Sequence, residues 1–202
     1  MDTTLYFRSG SLILEGLYRT GASTQGAVIA HPHPLYGGDM TNPVVETIAT
    51  VYQNRGYATL RFNFRGVGAS EGHYDNGTGE QQDVLAAIEF LVRQGYTSIH
   101  LAGYSFGSWV LSRLDELPRE IAAMAFVSPP VALIPFKPNL NLPLLRLVIT
   151  GEEDEIAPPG LVAESLNFWN PEARFEIIDS ADHFYYGMFR ELGEKIDVIL
   201  AG

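Results

Sequence analysis

The sequence predicts an α/β fold, a mostly parallel central sheet of about eight strands with helices on both faces. Three observations predict it. Short runs such as Ala27 to Ala30 and Ala123 to Val127 are apolar throughout, as strands covered on both faces must be. Between the runs lie segments with helical spacing, such as Val44, Ile48 and Val51, or Val84, Ile88 and Leu91. The strands run into loops rich in Gly, Pro, Asp and His, and the carboxyl edge of such a sheet is where functional loops gather.

In chain order, Leu5-Tyr6-Phe7 and Leu12 to Tyr18 read as two strands joined by the Ser9-Gly10-Ser11 turn, an antiparallel entry to the sheet. Ala27 to Ala30 runs into His31-Pro32-His33-Pro34-Leu35-Tyr36-Gly37-Gly38, too rich in Pro and Gly for regular structure. Asn42 caps a helix with Pro43 in its first turn. Ala58 to Phe64 is a strand that ends in a glycine-rich turn, Asn63 to Gly72. Its Gly66-x-Gly68 pair fails as a dinucleotide fingerprint, because Glu71 stands where a third glycine is needed and no helix opens there. Gly79 to Gln94 is a helix. Ile99, Leu101 and Ala102 form a strand, and Trp109, Val110, Leu111 and Leu114 a helix, with Gly103-Tyr104-Ser105-Phe106-Gly107 between them.

Ala123 to Val127 ends at Ser128-Pro129-Pro130, and Pro135, Pro138 and Pro143 bar a long helix over 131–143. Leu144 to Thr150 is a strand closed by Gly151 to Pro158. Leu161 to Trp169 is a helix, Arg174 to Ile178 a strand, and Ser180-Ala181-Asp182-His183-Phe184 the next loop. Met188, Leu192, Ile196 and Ile199 complete a terminal helix.

A chain of 202 residues suits a single domain, 1–202. A formal charge of −11 argues against nucleic acid or an anionic membrane as partner. The sequence contains no cysteine, which excludes disulfide and thiol chemistry. Met1 to Arg8 lacks a basic start followed by a long apolar segment, so a cytoplasmic location is the expectation, and the oligomeric state stays open.

Ser105 sits on the hinge between strand and helix, where a tight turn projects its side chain and glycine at 103 and 107 permits close approach. A chance Gly-x-Ser-x-Gly would lack that strand-before, helix-after setting. A serine hydroxyl needs a neutral imidazole to take its proton, and the imidazole needs a carboxylate to hold its tautomer. His183 follows the last strand and is the expected base; Asp154, within the acidic run Glu152 to Glu155, is the expected acid, ahead of Asp179 and Asp182. Phe106 N–H is one expected donor to the oxyanion. The second falls among His33, Leu35 and Tyr36, with Leu35 preferred and His33 the other choice, since Pro32 and Pro34 have no N–H. A metal site on His31, His33 and Asp39 is disfavoured by the intervening prolines.

Together these motifs resemble the α/β-hydrolase family, in particular its small capless serine hydrolases related to dienelactone hydrolase. Gly103 to Gly107 is similar to the nucleophile elbow, Gly151-x-x-Asp154-x-x-x-Pro158 to the acid loop and Asp182-His183-Phe184 to the base loop. The His31 to Gly38 loop and Arg65-Gly66-x-Gly68-x-Ser70 are similar to the oxyanion and following turns. Two departures stand out: many relatives have His-Gly at His31, and many have Asp at Asn63. The resemblance implies an α/β-hydrolase fold without a helical cap and a cofactor-free serine hydrolase acting on a small-molecule carboxylic ester or thioester through an acyl-serine. Peptidase, lactonase or cofactor-free peroxidase chemistry, or a noncatalytic binding module, are the alternatives. With only the proline-rich segment over the site, the expected pocket is shallow and lined by Tyr36, Tyr104, Phe136, Phe184 and Tyr185, with Leu133, Ile134 and Tyr186 nearby.

Overall fold

A computed structural model describes residues 1–200; Ala201 and Gly202, the end of the expected domain, lie outside the described residues. Eight strands form one sheet: β1 (Thr3–Ser9), β2 (Leu12–Arg19), β3 (Gln25–Ala30), β4 (Ala58–Phe62), β5 (Ser98–Tyr104), β6 (Ile121–Val127), β7 (Leu145–Gly151) and β8 (Arg174–Ile178). Their spatial order is β1-β2-β4-β3-β5-β6-β7-β8. β1 pairs antiparallel with β2, and β2 antiparallel with β4; every other pairing is parallel. From β3 the chain crosses one way to β4 and then back past β3 to β5, and that reversal opens a crevice at the strands' carboxyl ends.

Among the described residues five α-helices cover the sheet: α1 (Pro43–Asn54), α2 (Thr78–Arg93), α3 (Phe106–Leu111), α4 (Pro159–Trp169) and α5 (Phe189–Asp197). The strand period of two sends alternate residues to opposite cores. Val28 and Ala30 of β3 face α2, α3 and α4, joining Ile88, Leu91, Phe106, Val110 and Val162. Ala27 and Ile29 face α1 and α5, joining Ile48, Tyr52, Leu192 and Ile196. Each fully buried Val, Leu, Ile or Phe contributes about 1.5–3 kcal/mol, so the continuous apolar strands are the main source of stability.

Of the element boundaries that differ from the sequence expectation, two have a cause in the hydrogen bonding. β4 stops at Phe62 and not at Phe64: the Asn63 N–H still donates to Glu15 O of β2 (2.9 Å), but the Phe64 N–H turns to the side chain of His31, at Nε2 (3.0 Å), and leaves the ladder. α3 ends at Leu111 and not at Leu114; residues 112–114 form a turn in which the Ser112 hydroxyl donates to Trp109 O. Residues 131–143 form turns and irregular chain, as the prolines require, and among the described residues no helical cap lies over the carboxyl edge.

Candidate active site

The elbow is built by close approach. Ser105 has φ 51° and ψ −118°, a conformation disfavoured for a residue with a Cβ. It is held by its N–H donating to Val127 O on β6 (2.9 Å) and by α3 starting immediately after it. A Cβ on Gly103 would lie 2.5 Å from Ser108 N, and one on Gly107 2.3 Å from Ala30 O. Both positions therefore exclude any side chain.

Three loops converge on the Ser105 hydroxyl. His183 Nε2 lies 3.0 Å from Ser105 Oγ, and His183 Nδ1 lies 2.9 Å from both carboxylate oxygens of Asp154. With Nδ1–H donating to the carboxylate, Nε2 is bare and accepts from the hydroxyl. Within the acidic run only Asp154 is buried; Glu152, Glu153 and Glu155 are exposed, as are Asp179 and Asp182. Burial by itself would raise the Asp154 carboxyl, but the hydrogen bond and charge of His183, with the Ser128 side chain and the Ala157 N–H, hold it below the ordinary aspartate range. The Ile156 and Ala157 N–H groups donate to Asp154 Oδ1 (2.9 and 2.7 Å), which the compact turn ending at Pro158 brings about.

A layer of supporting contacts escaped the sequence reading. Tyr104, the residue before the elbow serine, donates its hydroxyl to His183 O (2.8 Å) and so fixes the base loop to β5. Burial pushes that phenol's pKa up, keeping it a neutral donor. Asp182 Oδ1 accepts the Phe184 and Tyr185 N–H groups, closing the turn around His183. Aromatic residues beside a motif were the available signal, but spacing alone does not separate a brace from a pocket wall.

The donor loop turns out differently from its reading. Pro34–Tyr36 forms one 3₁₀ turn, and the Leu35 N–H donates to His33 Nδ1 (3.2 Å) while its side chain points into solvent. Tyr36 and Gly38 N–H groups both donate to His33 O. Leu35 is therefore spent, and among the described residues the His33 N–H, like that of His31 at the start of the loop, has no acceptor. The Phe106 N–H, first in α3, likewise has no intrahelical acceptor. The His33 ring packs between Tyr36, Tyr74 and Phe106 at 4.7–5.1 Å. Since Nδ1 accepts from Leu35, Nε2 carries the proton toward the Tyr74 hydroxyl (3.3 Å).

His31 has a structural part. Its Nδ1–H donates to Pro32 O (2.6 Å) and Nε2 accepts from Phe64 N–H, which leaves no lone pair for a metal. Burial pushes this imidazole down to about 4, so it stays neutral.

A cavity of about 140 Å³ opens beside Ser105, lined by Tyr36, Tyr104 and Phe184 together with Leu133, Ile134 and Ile156. Two expected pocket residues lie elsewhere. Tyr185 is fully buried in the α1 and α5 core, its hydroxyl bonded to Ser128 Oγ (2.7 Å), because it points beneath the base loop while Phe184 and Tyr186 point out. Phe136 packs on Trp169 of α4 at 4.7 Å, on the far side of the proline-rich segment.

Comparison with known proteins agrees with this architecture. Residues 30–195 match the Alpha/beta hydrolase family. An uncharacterised protein of Rickettsia prowazekii is 34% identical over 205 residues, covering 96% of this chain and 86% of that one. An alpha-beta serine hydrolase homologue from Coxiella burnetii superposes with a TM-score of 0.87 at 33% identity, covering 99% of this chain and 97% of the other. A Xanthomonas campestris serine hydrolase without lid gives 0.89 at 28% identity, covering 99% and 94%. With the strand order, the elbow and the converging loops already in place, the match over residues 30–195 leads to one conclusion: the chain belongs to the alpha/beta hydrolase family.

Proposed function

We propose that this hydrolase cleaves a small carboxylic ester or thioester through an acyl intermediate on Ser105. The observation that carries the reading is the unbroken hydrogen-bond chain from Ser105 Oγ through His183 to Asp154, buried at the carboxyl edge of the sheet.

In the first half-reaction His183 Nε2 takes the hydroxyl proton as Oγ adds to the ester carbonyl. Asp154 stabilises the imidazolium that forms. The oxyanion accepts from the Phe106 and His33 N–H groups, with the positive end of α3 behind them. The imidazolium then passes its proton to the leaving oxygen or sulfur as that bond breaks, and Ser105 keeps the acyl group. A water, deprotonated by the same imidazole, reverses the sequence and frees the acid. These side chains and water suffice for every step.

A fluorophosphonate probe tests the reading. It is expected to label Ser105 in the folded protein, and Ser105→Ala is expected to lose labelling and at least about 10⁴-fold of ester turnover. Absence of an adduct, or full activity in the variant, would sink it. Offering p-nitrophenyl esters beside amide and lactone substrates separates esterase from peptidase and lactonase chemistry.

A further inference from the structure

The loops at the mouth of the site hold Leu35, Tyr36, Leu133, Phe184 and Tyr186 open to water, a concentration of large apolar side chains around one opening. Exposed apolar clusters of this kind mark contact surfaces. The cavity they surround, about 140 Å³, is well below the roughly 300 Å³ at which drug-sized ligand pockets begin. Something short fits inside, and something flat and apolar fits outside.

The rim is organised on the side of the base. Phe184 follows His183 and meets its imidazole edge-on at 5.6 Å and 90°; Tyr186 stacks on Phe184 at 6.1 Å and 29°. Phe184 is 51% exposed and Tyr186 75%. The two rings form a shelf running from the imidazole to solvent. Its backbone is anchored between them, since Tyr185 is buried and bonded to Ser128, and Asp182 accepts the Phe184 and Tyr185 N–H groups. None of the described residues lining the cavity is Lys or Arg, so the opening offers no partner for a carboxylated or phosphorylated group.

We infer that Phe184 and Tyr186 are the leaving-group site, and that the substrate class is an ester joining a short acyl group to an alcohol that carries a flat aromatic ring. The inference rests on the acyl-Ser105 reading. Proton transfer fixes the side: the proton that His183 took from Ser105 goes to the alkoxide oxygen as the acyl carbon–oxygen bond breaks. That oxygen must therefore lie within hydrogen-bond reach of Nε2, and the group it carries extends over the ring next to His183. The acyl group, held on Ser105, occupies the apolar cavity beside Leu133, Ile134 and Ile156. Departure of a free aromatic alcohol along an open shelf also suits a site with no cap to release.

The test compares 2-naphthylmethyl acetate with n-propyl acetate, which share the acyl group and have leaving alkoxides of similar basicity. The expected result is a ratio of kcat/KM of at least about 10 in favour of the aromatic ester. Phe184→Ala or Tyr186→Ala brings the ratio close to one, and Tyr186→Phe keeps it. Lengthening the acyl group from acetate to decanoate on a common alcohol lowers kcat/KM. A wild-type ratio near one, or a ratio unmoved by both alanine variants, would overturn the inference while fluorophosphonate labelling and acetate turnover still uphold the hydrolase reading. Loss of labelling and turnover in the wild type overturns both. An unmoved ratio together with a dimer that Tyr186→Ala converts to monomer in sedimentation assigns the rim to a second copy of the chain, and likewise overturns it.

Discussion

Asp154 shows how a single residue is selected from a run of similar ones. It is enclosed by neighbours that point to solvent, and both its oxygens face His183 Nδ1. Asp154→Asn keeps the shape but offers an amide to Nδ1, favouring the tautomer that blocks Nε2. A fall in kcat of about 10³–10⁴-fold is expected, with circular dichroism and thermal midpoint little changed. Asn63 illustrates the same principle away from the chemistry. Its Oδ1 accepts from Met40 N–H (2.9 Å) and its Nδ2 donates to Glu15 Oε2 (2.8 Å). Many relatives in the resembled subgroup have Asp there, but in this chain an aspartate would set a carboxylate against that of Glu15. Asn63→Asp is expected to cost about 1–3 kcal/mol at pH 7 in urea unfolding, since the half-buried Glu15 Oε2 keeps the Ala69 N–H but exchanges the Asn63 donor for a like charge.

At the level of elements, strand β5, the elbow and α3 act as one piece. The helix is short and gains little from propensity. Its position comes from packing on β3, where Gly107 passes within contact of the Ala30 and His31 carbonyls. Gly107→Ala has no flexible neighbour to displace, only backbone, and is expected to cost about 3 kcal/mol. Thermal unfolding measures that cost. The same contact makes the proposed oxyanion site a joint product of two elements, with Phe106 N–H supplied by α3 and His33 N–H by the loop after β3. A shift of the helix by even a fraction of an ångström moves both donors relative to each other. Under the proposed function, ester turnover is therefore expected to fall further than stability alone would imply.

Across the whole molecule, acid titrates histidines that the fold buries as neutral rings. His31 and His100 are both pushed down to about 4 by burial, against an ordinary value near 6.5. Between those values the unfolded chain binds protons that the folded chain refuses, so stability is highest above pH 6.5 and declines as pH falls toward 4. For His31 the loss is on the order of 3 kcal/mol. Urea midpoints at pH 7 and pH 4.5 check it. His100 lies between Tyr52 and Tyr57, and its Nδ1 has no hydrogen-bond partner among the described residues. His100→Phe is therefore expected to hold its stability at pH 7 and lose part of the acid sensitivity. The order of strands and helices, the elbow, and the loops carrying Asp154 and His183 were legible in the sequence, because apolar period and glycine spacing report local geometry and the chain places them on successive strand ends. Which N–H of the His31 to Gly38 loop stays free was not, since it depends on a His33 ring folding back onto Leu35. Nor was the fate of Tyr185 or Phe136, whose rings turn into cores assembled from helices far away in sequence. The sequence by itself determined the fold class and the positions available to a nucleophile, acid and base. Tertiary packing alone decided which side chains meet at Ser105, because contacts across 29 and 78 residues depend on how the sheet closes its loops together.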